Sequence, residues 1–416
     1  MKNSMNSNFL GYKFGYGIAV ILVCLCMMHP IHALFGFKIK VLYSFSILYL
    51  VILGFYHAKL RIQKWAYLIP GAIVITGFLG SMISGESHQL LIGLSGAASF
   101  IAAYYLATYG FEMKWVVKGL ILFDYILLVG CIIAFLYAYY GGAAVGDFIN
   151  PETKRPIALY LTSFTNSVLG DIPGLDHYIR PAGLFDEPGS LVLFNVLVVC
   201  LNQVILRNSA TSYRLLLLGL ISFSFMAAIA LILFTVIRLC FFARKLKVNI
   251  PKVIFSLVIG VGVLYSLSNP ISELLGERIY SEKRGFFPGE NRSGQVVAII
   301  KNMNKHIFFS GNHGQPRTFE GQVEANPLTL LYESGVMIWL TYVITLCALL
   351  KTSFHKNPDI IYSCLVVILL LLQKPYLWSM YWSIFIWAII IVIMRFANST
   401  TQINQSSRHI KPEGAR

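Results

Sequence analysis

Charge is what this chain lacks most. Of its 416 residues only 12% are Asp, Glu, Lys or Arg while 57% are hydrophobic, and the mean hydropathy is +0.69. A soluble domain carries about 25% charged residues, so the deficit excludes a soluble globular protein and points to a bilayer. No soluble domain of useful size fits between the apolar runs, which excludes a receptor or sensor with its own signalling domain. The seven cysteines, Cys24, Cys26, Cys131, Cys200, Cys240, Cys347 and Cys364, all lie within or beside apolar segments. That excludes a disulfide framework and metal-type spacing, and the C-x-C at Cys24 and Cys26 reads as two small buried hydrophobes. Internal repeats are not apparent, which argues against a transporter built from repeated halves. The net charge is +15, yet no loop has a basic cluster interleaved with aromatics, so nucleic acid is excluded as a partner.

What is present is a series of apolar runs of membrane-crossing length, about 20 residues each. They read as Gly17–Phe35, Val41–Tyr56, Trp65–Ile83, Leu90–Gly110, Trp115–Tyr139, Ser190–Leu206, Leu215–Phe242, Val253–Leu267, Pro327–Leu350, Ile360–Leu372 and Met380–Met394. The first run, after Lys2 and Lys13, resembles a signal peptide. His29, Pro30 and His32 occupy the zone where a cleavage site would fall, so an uncleaved first helix is expected. Two connectors are long, Tyr140–Gly189 and Ser268–Asn326, and they hold twelve of the eighteen acidic residues. Both are expected on the non-cytoplasmic side. Basic connectors, such as Lys59/Arg61/Lys64 and Arg238 to Lys252, belong inside.

Parity tests that assignment. If Leu215–Phe242 is one helix, the two long loops fall on opposite faces. A helix of that length would run about 42 Å against a hydrocarbon core of about 30 Å. Two short helices hinged near Ser222, Ser224 and Met226 repair the topology, leaving only Lys38 and Lys40 on the wrong side. Backbone broken at membrane depth must be buried in protein or line a wet cavity, so the hinge is expected to border the working site. The expectation is therefore an all-α integral membrane protein, one polytopic domain over 1–416, with about twelve transmembrane helices and two long outer loops.

Chemistry-bearing residues concentrate in and beside those loops. RPAGLFDEPGS, Arg180 to Ser190, opens an apolar helix. Asp186 and Glu187 would complement the helix N-terminus and Pro188 suits its first turn, which leaves Arg180 unexplained. A guanidinium at the headgroup boundary suits a phosphate, because it stays charged and can grip two oxygens. The second loop carries Arg278, Arg284, Arg292, Lys301, Lys305 and Arg317. Within it Val296–Asn304 reads as an amphipathic helix on the membrane surface. Its Arg292 is either part of a solvated basic face or a grip on a pyrophosphate leaving group. SGNHG, Ser310–Gly314, is a glycine-flanked turn with Gly311 and His313, and a lone loop histidine is more often incidental than catalytic. Glu333 lies two turns into a membrane helix, where a carboxylate needs a partner such as a loop arginine. Asp124 lies inside its span and reads equally as interhelical pairing or function, while Lys118 and Lys374, near helix ends, read as structural.

The R-x-x-G-x-F-x-E-P segment, the R-S-G followed by an amphipathic helix and a glycine turn, and the L-x-x-L-x-E-x-G helix together resemble bacterial O-antigen polymerases and ligases, over Arg180 to about Trp339. The resemblance implies a multi-pass protein of the bacterial inner membrane acting at its periplasmic face. The implied reaction is glycosyl transfer between undecaprenyl-diphosphate-linked glycans, building O-antigen, capsule or exopolysaccharide. It implies Arg180 and Arg292, with Arg278 beside them, as diphosphate-binding residues. Glu187 with Pro188 would be its E-P, Glu333 its helix glutamate, and Gly183 and Gly311 structural turns. The family often places His-Asn where this chain has Glu324 and Ala325, which favours a polymerase over a ligase. Glu324, His313 and Glu187 remain the candidates for catalytic acid–base work. Membrane lipids, a chain-length regulator and a flippase are the implied partners; no cofactor and no metal are expected. The competing readings are an O-antigen ligase and, in another class, a lipid-linked sugar flippase or transporter.

Overall fold

The computed structural model describes residues 2–28, 30–32, 39–58, 65–85, 87–149, 156–166, 179–242, 280–281, 285–286, 299–312, 327–379 and 382–409. The apolar runs become helices: α1 Lys2–Met27, α2 Ile39–Ala58, α3 Trp65–Ser84, α4 His88–Tyr105 and α5 Lys114–Tyr139. After the first long loop come α6 Pro188–Leu201, α7 Ser209–Gly219 and α8 Phe225–Phe242. The remainder are α9 Lys305–Ser310, α10 Pro327–Ser353, α11 Pro358–Gln373 and α12 Ser383–His409. Four helical stretches are long and apolar enough to cross a membrane, namely Gln89–Gly110, Lys114–Tyr139, Pro188–Leu206 and Pro327–Ser353, and several shorter apolar helices pack with them. The protein is thus a mostly helical membrane protein. The expected span Val253–Leu267 lies outside the described residues.

Helix α6 is the centre of the bundle. Every residue from Ser190 to Leu201 is buried, which is why the sequence there is apolar all round instead of on one stripe. Phe194 stacks on Phe385 of α12 with centroids 5.7 Å apart, and Phe185 meets Phe194 at 5.5 Å and Trp382 at 5.8 Å. By contrast α5 is two-faced, with Leu128 and Cys131 buried while Leu122 and Ile126 are exposed, as expected of a helix between core and lipid.

Side-chain contacts sort the helix ends into two groups. At one end Glu112 pairs with Arg395 at 2.8 Å, Arg207 lies 5.9 Å from the Phe396 ring, and Arg238 of α8 bonds both Gln203 and Asp359. At the other end Gln89 donates to the Ser334 carbonyl at 2.8 Å, Lys374 meets Glu187, and Arg180 meets Phe223. The first end gathers Lys114, Arg207, Arg214, Arg238, Lys351, Lys356 and Arg395.

Two departures from the sequence reading follow. The first long loop is not plain connector: β1 Gly146–Ile149, β2 Pro156–Tyr160 and β3 Ser163–Thr165 form an antiparallel sheet in the order β1-β2-β3. The small sheet sits in the loop, beside a bundle whose membrane-embedded elements are helices. In the second loop a short pair, β4 Tyr280–Ser281 and β5 Gly285–Phe286, also occurs. The expected helix Val296–Asn304 is described only from Ile299; it is helical over 299–302, and Asn304 starts α9 by accepting from the Ile307 amide at 2.8 Å.

Candidate functional site

Arg180 is held from its backbone outward. Its carbonyl accepts from the Thr165 hydroxyl at 2.7 Å. Two residues on, the Ala182 amide donates to the Phe164 carbonyl at 2.8 Å and the Phe164 amide to the Gly183 carbonyl at 2.7 Å. The segment is therefore tied to β3 by backbone hydrogen bonds. The Ser163 hydroxyl accepts from the Ala182 and Gly183 amides at 3.2 and 2.8 Å, and Thr162 donates to the Gly130 carbonyl of α5 at 2.7 Å. Gly183 turns with φ +63° while packed on Leu191, Cys131 and Leu127, so the glycine of R-x-x-G is there for its backbone. The result is an arginine on a small sheet bolted to α5.

The side chain of Arg180 reaches the expected hinge. Helix α7 ends at Gly219, a tight turn spans Leu220–Ser222, and Phe223 adopts a left-handed conformation with φ +50° before α8 begins. Arg180 Nη2 donates to the Phe223 carbonyl at 3.3 Å. The chain breaks where Ser222 and Ser224 interrupt the apolar pattern: Ser222 donates back to Gly219 at 2.8 Å, which competes with helix continuation. Because α7 has 11 residues, about 16 Å, it rises alongside α6 and α8 returns, bringing Arg238 back to Gln203. Arg180 and the break meet at the far end of this hairpin.

Glu187 pairs across the bundle. It occupies the residue before α6 and Pro188 takes the first helical position, yet the Glu187 side chain makes no capping bond. It pairs instead with Lys374, which follows α11, and accepts from the Ser190 hydroxyl at 3.2 Å. Lys374 also lies 5.3 Å from the Tyr376 ring centroid. A Cβ at Gly189 would stand 3.1 Å from Lys374 Nζ, so the glycine of E-P-G admits the lysine. This pairing went unseen in the sequence, since only the position of Lys374 beside Pro375 at a helix end marked it.

A third junction joins the two later motifs. Helix α10 is broken at Gly335, with φ 76° and ψ 168°, and α9 ends at Gly311, with φ 78° and ψ 171°. The two glycines cross. A Cβ on Gly311 would lie 2.4 Å from the Glu333 carbonyl oxygen, and one on Gly335 would lie 2.4 Å from that of Phe309. The Asn312 amide donates to the Tyr332 carbonyl at 2.7 Å. The structure thus brings the SG of the glycine turn against the ESG carrying Glu333, which is half-buried at the helix break.

Arg278, Arg292, His313 and Glu324 lie outside the described residues. Among the described residues no three His, Cys, Asp or Glu side chains gather as a metal site. Asp124 takes part in pairing between helices: Asn195 of α6 donates to its Oδ2 at 2.9 Å and to the Leu215 carbonyl of α7 at 3.2 Å. Asn195, Gln203, Asn202 and Asp359 were not singled out in the sequence, where isolated polar residues in apolar runs give no clue to their partners. In comparisons with known proteins no family model matches the chain, and no curated protein and no solved structure matches it.

Proposed function

We propose that this protein is a polysaccharide polymerase of the O-antigen type, acting on undecaprenyl-diphosphate-linked glycans at the periplasmic face of the bacterial inner membrane. The observation that carries the reading is the placement of Arg180, fixed by β3 and by the hinge carbonyl at one end of the bundle. A guanidinium is a rigid fork of five donors suited to paired phosphate oxygens. In the reaction the anomeric carbon of the nascent chain loses undecaprenyl diphosphate, and a sugar hydroxyl oxygen of the incoming unit bonds to that carbon. Negative charge grows on the departing diphosphate, and a preorganised cation near low dielectric stabilises it without reorganisation. Two membrane-tethered substrates supply proximity. The hydroxyl proton passes to Glu324 or His313. Glu187, engaged by Lys374 and Ser190, serves as counter-ion instead of base.

Orientation supports the same reading. The basic-rich end around Arg207, Arg238 and Arg395 faces the cytoplasm by the positive-inside rule, which puts Arg180 outside. The α7–α8 hairpin returns the chain to the basic end, as a layout of about twelve spans with both long loops outward requires. Deletion of the gene tests the assignment. A polymerase mutant leaves lipid A-core capped by at most one repeat, because a separate ligase still acts. Long polymer accumulating on undecaprenyl diphosphate would instead identify a ligase.

A further inference from the structure

We propose that Arg207 and Arg238, drawn together at Asp359 on the basic end of the bundle, hold one phosphate anion, that of an acidic phospholipid headgroup in the leaflet they face. The site lies at the opposite end of the bundle from Arg180 and does not depend on the reaction there.

Helix α6 continues through a wider turn, Asn202–Leu206, to give one apolar stretch of 19 residues from Pro188, about 28 Å at the ordinary helical rise. A hydrocarbon core is about 30 Å thick, so Arg207, the next residue, emerges at headgroup level. Its backbone has φ 55° and ψ 35°, the left-handed region that residues other than glycine, asparagine and aspartate seldom adopt. An arginine held in such a position points to work done by its side chain. Arg207 is exposed, its guanidinium lies 5.9 Å from the Phe396 ring centroid, and it makes no hydrogen bond among the described residues.

Its neighbours set the charge. Arg238, reaching in from α8, bonds Gln203 and Asp359, and the Arg207 guanidinium acts on the same Asp359 carboxylate through space. Two guanidiniums thus share one carboxylate, which leaves a single positive charge unbalanced. Arg395, beside Phe396 in α12, is already paired with Glu112. A phosphodiester brings the one negative charge that is missing, and the planar fork of an arginine matches its oxygens. The Phe396 ring flanks the cation without occupying its donors. Within a turn of Arg238, Val236 and Leu239 of α8 are 48% and 41% exposed, an apolar wall for acyl chains beside the headgroup.

The alternative is a general attraction of the basic end for acidic lipid, and a site differs from it by depending on particular residues. The full chain in detergent is titrated with short-chain phosphatidylglycerol. Phosphatidylcholine of the same chain length is the control without net charge, and glycerol phosphate is the lipid-free arm. Binding is read from the shift in thermal unfolding and from lipid retained in native mass spectrometry. Wild type is expected to bind phosphatidylglycerol about tenfold tighter than phosphatidylcholine, the value of one charged hydrogen bond. Arg207→Gly removes the side chain and relieves the left-handed backbone, so it folds at least as well as wild type and is expected to lose that preference. Arg207→Lys, which keeps the charge without the fork, should retain part of it. Lys351→Ala removes an exposed charge of the same end outside the cluster and should keep the preference in full. Phosphatidylglycerol binding that glycerol phosphate does not reproduce assigns the anion to the headgroup; glycerol phosphate binding with the same dependence on Arg207 assigns it to a soluble phosphate, and either bears out the anion site. Wild type binding the two lipids equally, Arg207→Gly keeping the preference, or Lys351→Ala losing it as fully as Arg207→Gly would overturn the proposal.

Discussion

Gly335 and Gly311 show how much a single residue can decide here. Both adopt a backbone region essentially reserved for glycine, which costs other residues about 1–3 kcal/mol, and each faces a carbonyl oxygen of the other helix segment at 2.4 Å from an ideal Cβ. Gly335→Ala therefore meets backbone, which cannot move aside as a side chain would, and is expected to abolish accumulation of folded protein. Gly183→Ala meets only ordinary contacts, the nearest at 3.4 Å. It should cost about 1–2 kcal/mol for the left-handed turn and impair activity by shifting Arg180. Gly119→Ala has open space around its Cβ and should be neutral or stabilising by up to about 1 kcal/mol. The yield of folded Gly335→Ala and the thermal unfolding of the other two variants in detergent check the ranking. Arg180, Gly183 and Glu187 could be singled out in the sequence because polar, turn-forming residues stand out against an apolar background. Their partners could not: nothing local links Glu187 to Lys374 or Arg180 to Phe223, since those contacts are made between segments far apart in the chain.

At the scale of elements, the hinge was legible because a helix over Leu215–Phe242 would be too long for a bilayer and carries serines where it must bend. The sheet β1-β2-β3 was not, because its strands are only 4, 5 and 3 residues long and lie in a polar connector with no sustained alternation. The tie between α5, α6 and α7 through Asp124 and Asn195 was only half legible, as a buried acid without a visible partner. It leads to a double-mutant prediction. Asn195→Leu removes the donor to Asp124 Oδ2 while Oδ1 has no hydrogen-bond partner among the described residues, so it should cost about 1–3 kcal/mol. Asp124→Leu combined with Asn195→Leu should recover most of that loss, because replacing both partners by apolar groups can be nearly neutral. A double variant no more stable than Asn195→Leu alone would refute the pairing role. Asp124→Asn, which keeps an oxygen for Asn195, should retain both stability and activity.

Across the whole molecule the distribution of charge between the two ends sets the orientation. Single cysteines at Asn166 and Arg317, in a background cleared of native cysteines, should react with an impermeant reagent from outside intact spheroplasts, and one at Lys356 should not. Labelling of only one of the outer pair would break the hairpin topology. The apolar runs made the membrane class and most helix positions legible, because burial in lipid imposes composition directly; which ends meet is a matter of tertiary packing that composition does not record. The most direct measurement is reconstitution of the purified protein in liposomes with undecaprenyl-diphosphate-linked repeat units and no other enzyme. Wild type should build glycans of increasing length on the lipid carrier, and Arg180→Ala should leave single repeats. Single repeats left unchanged by wild type, or polymer formed equally well by Arg180→Ala, would contradict the assignment of a polymerase working at Arg180.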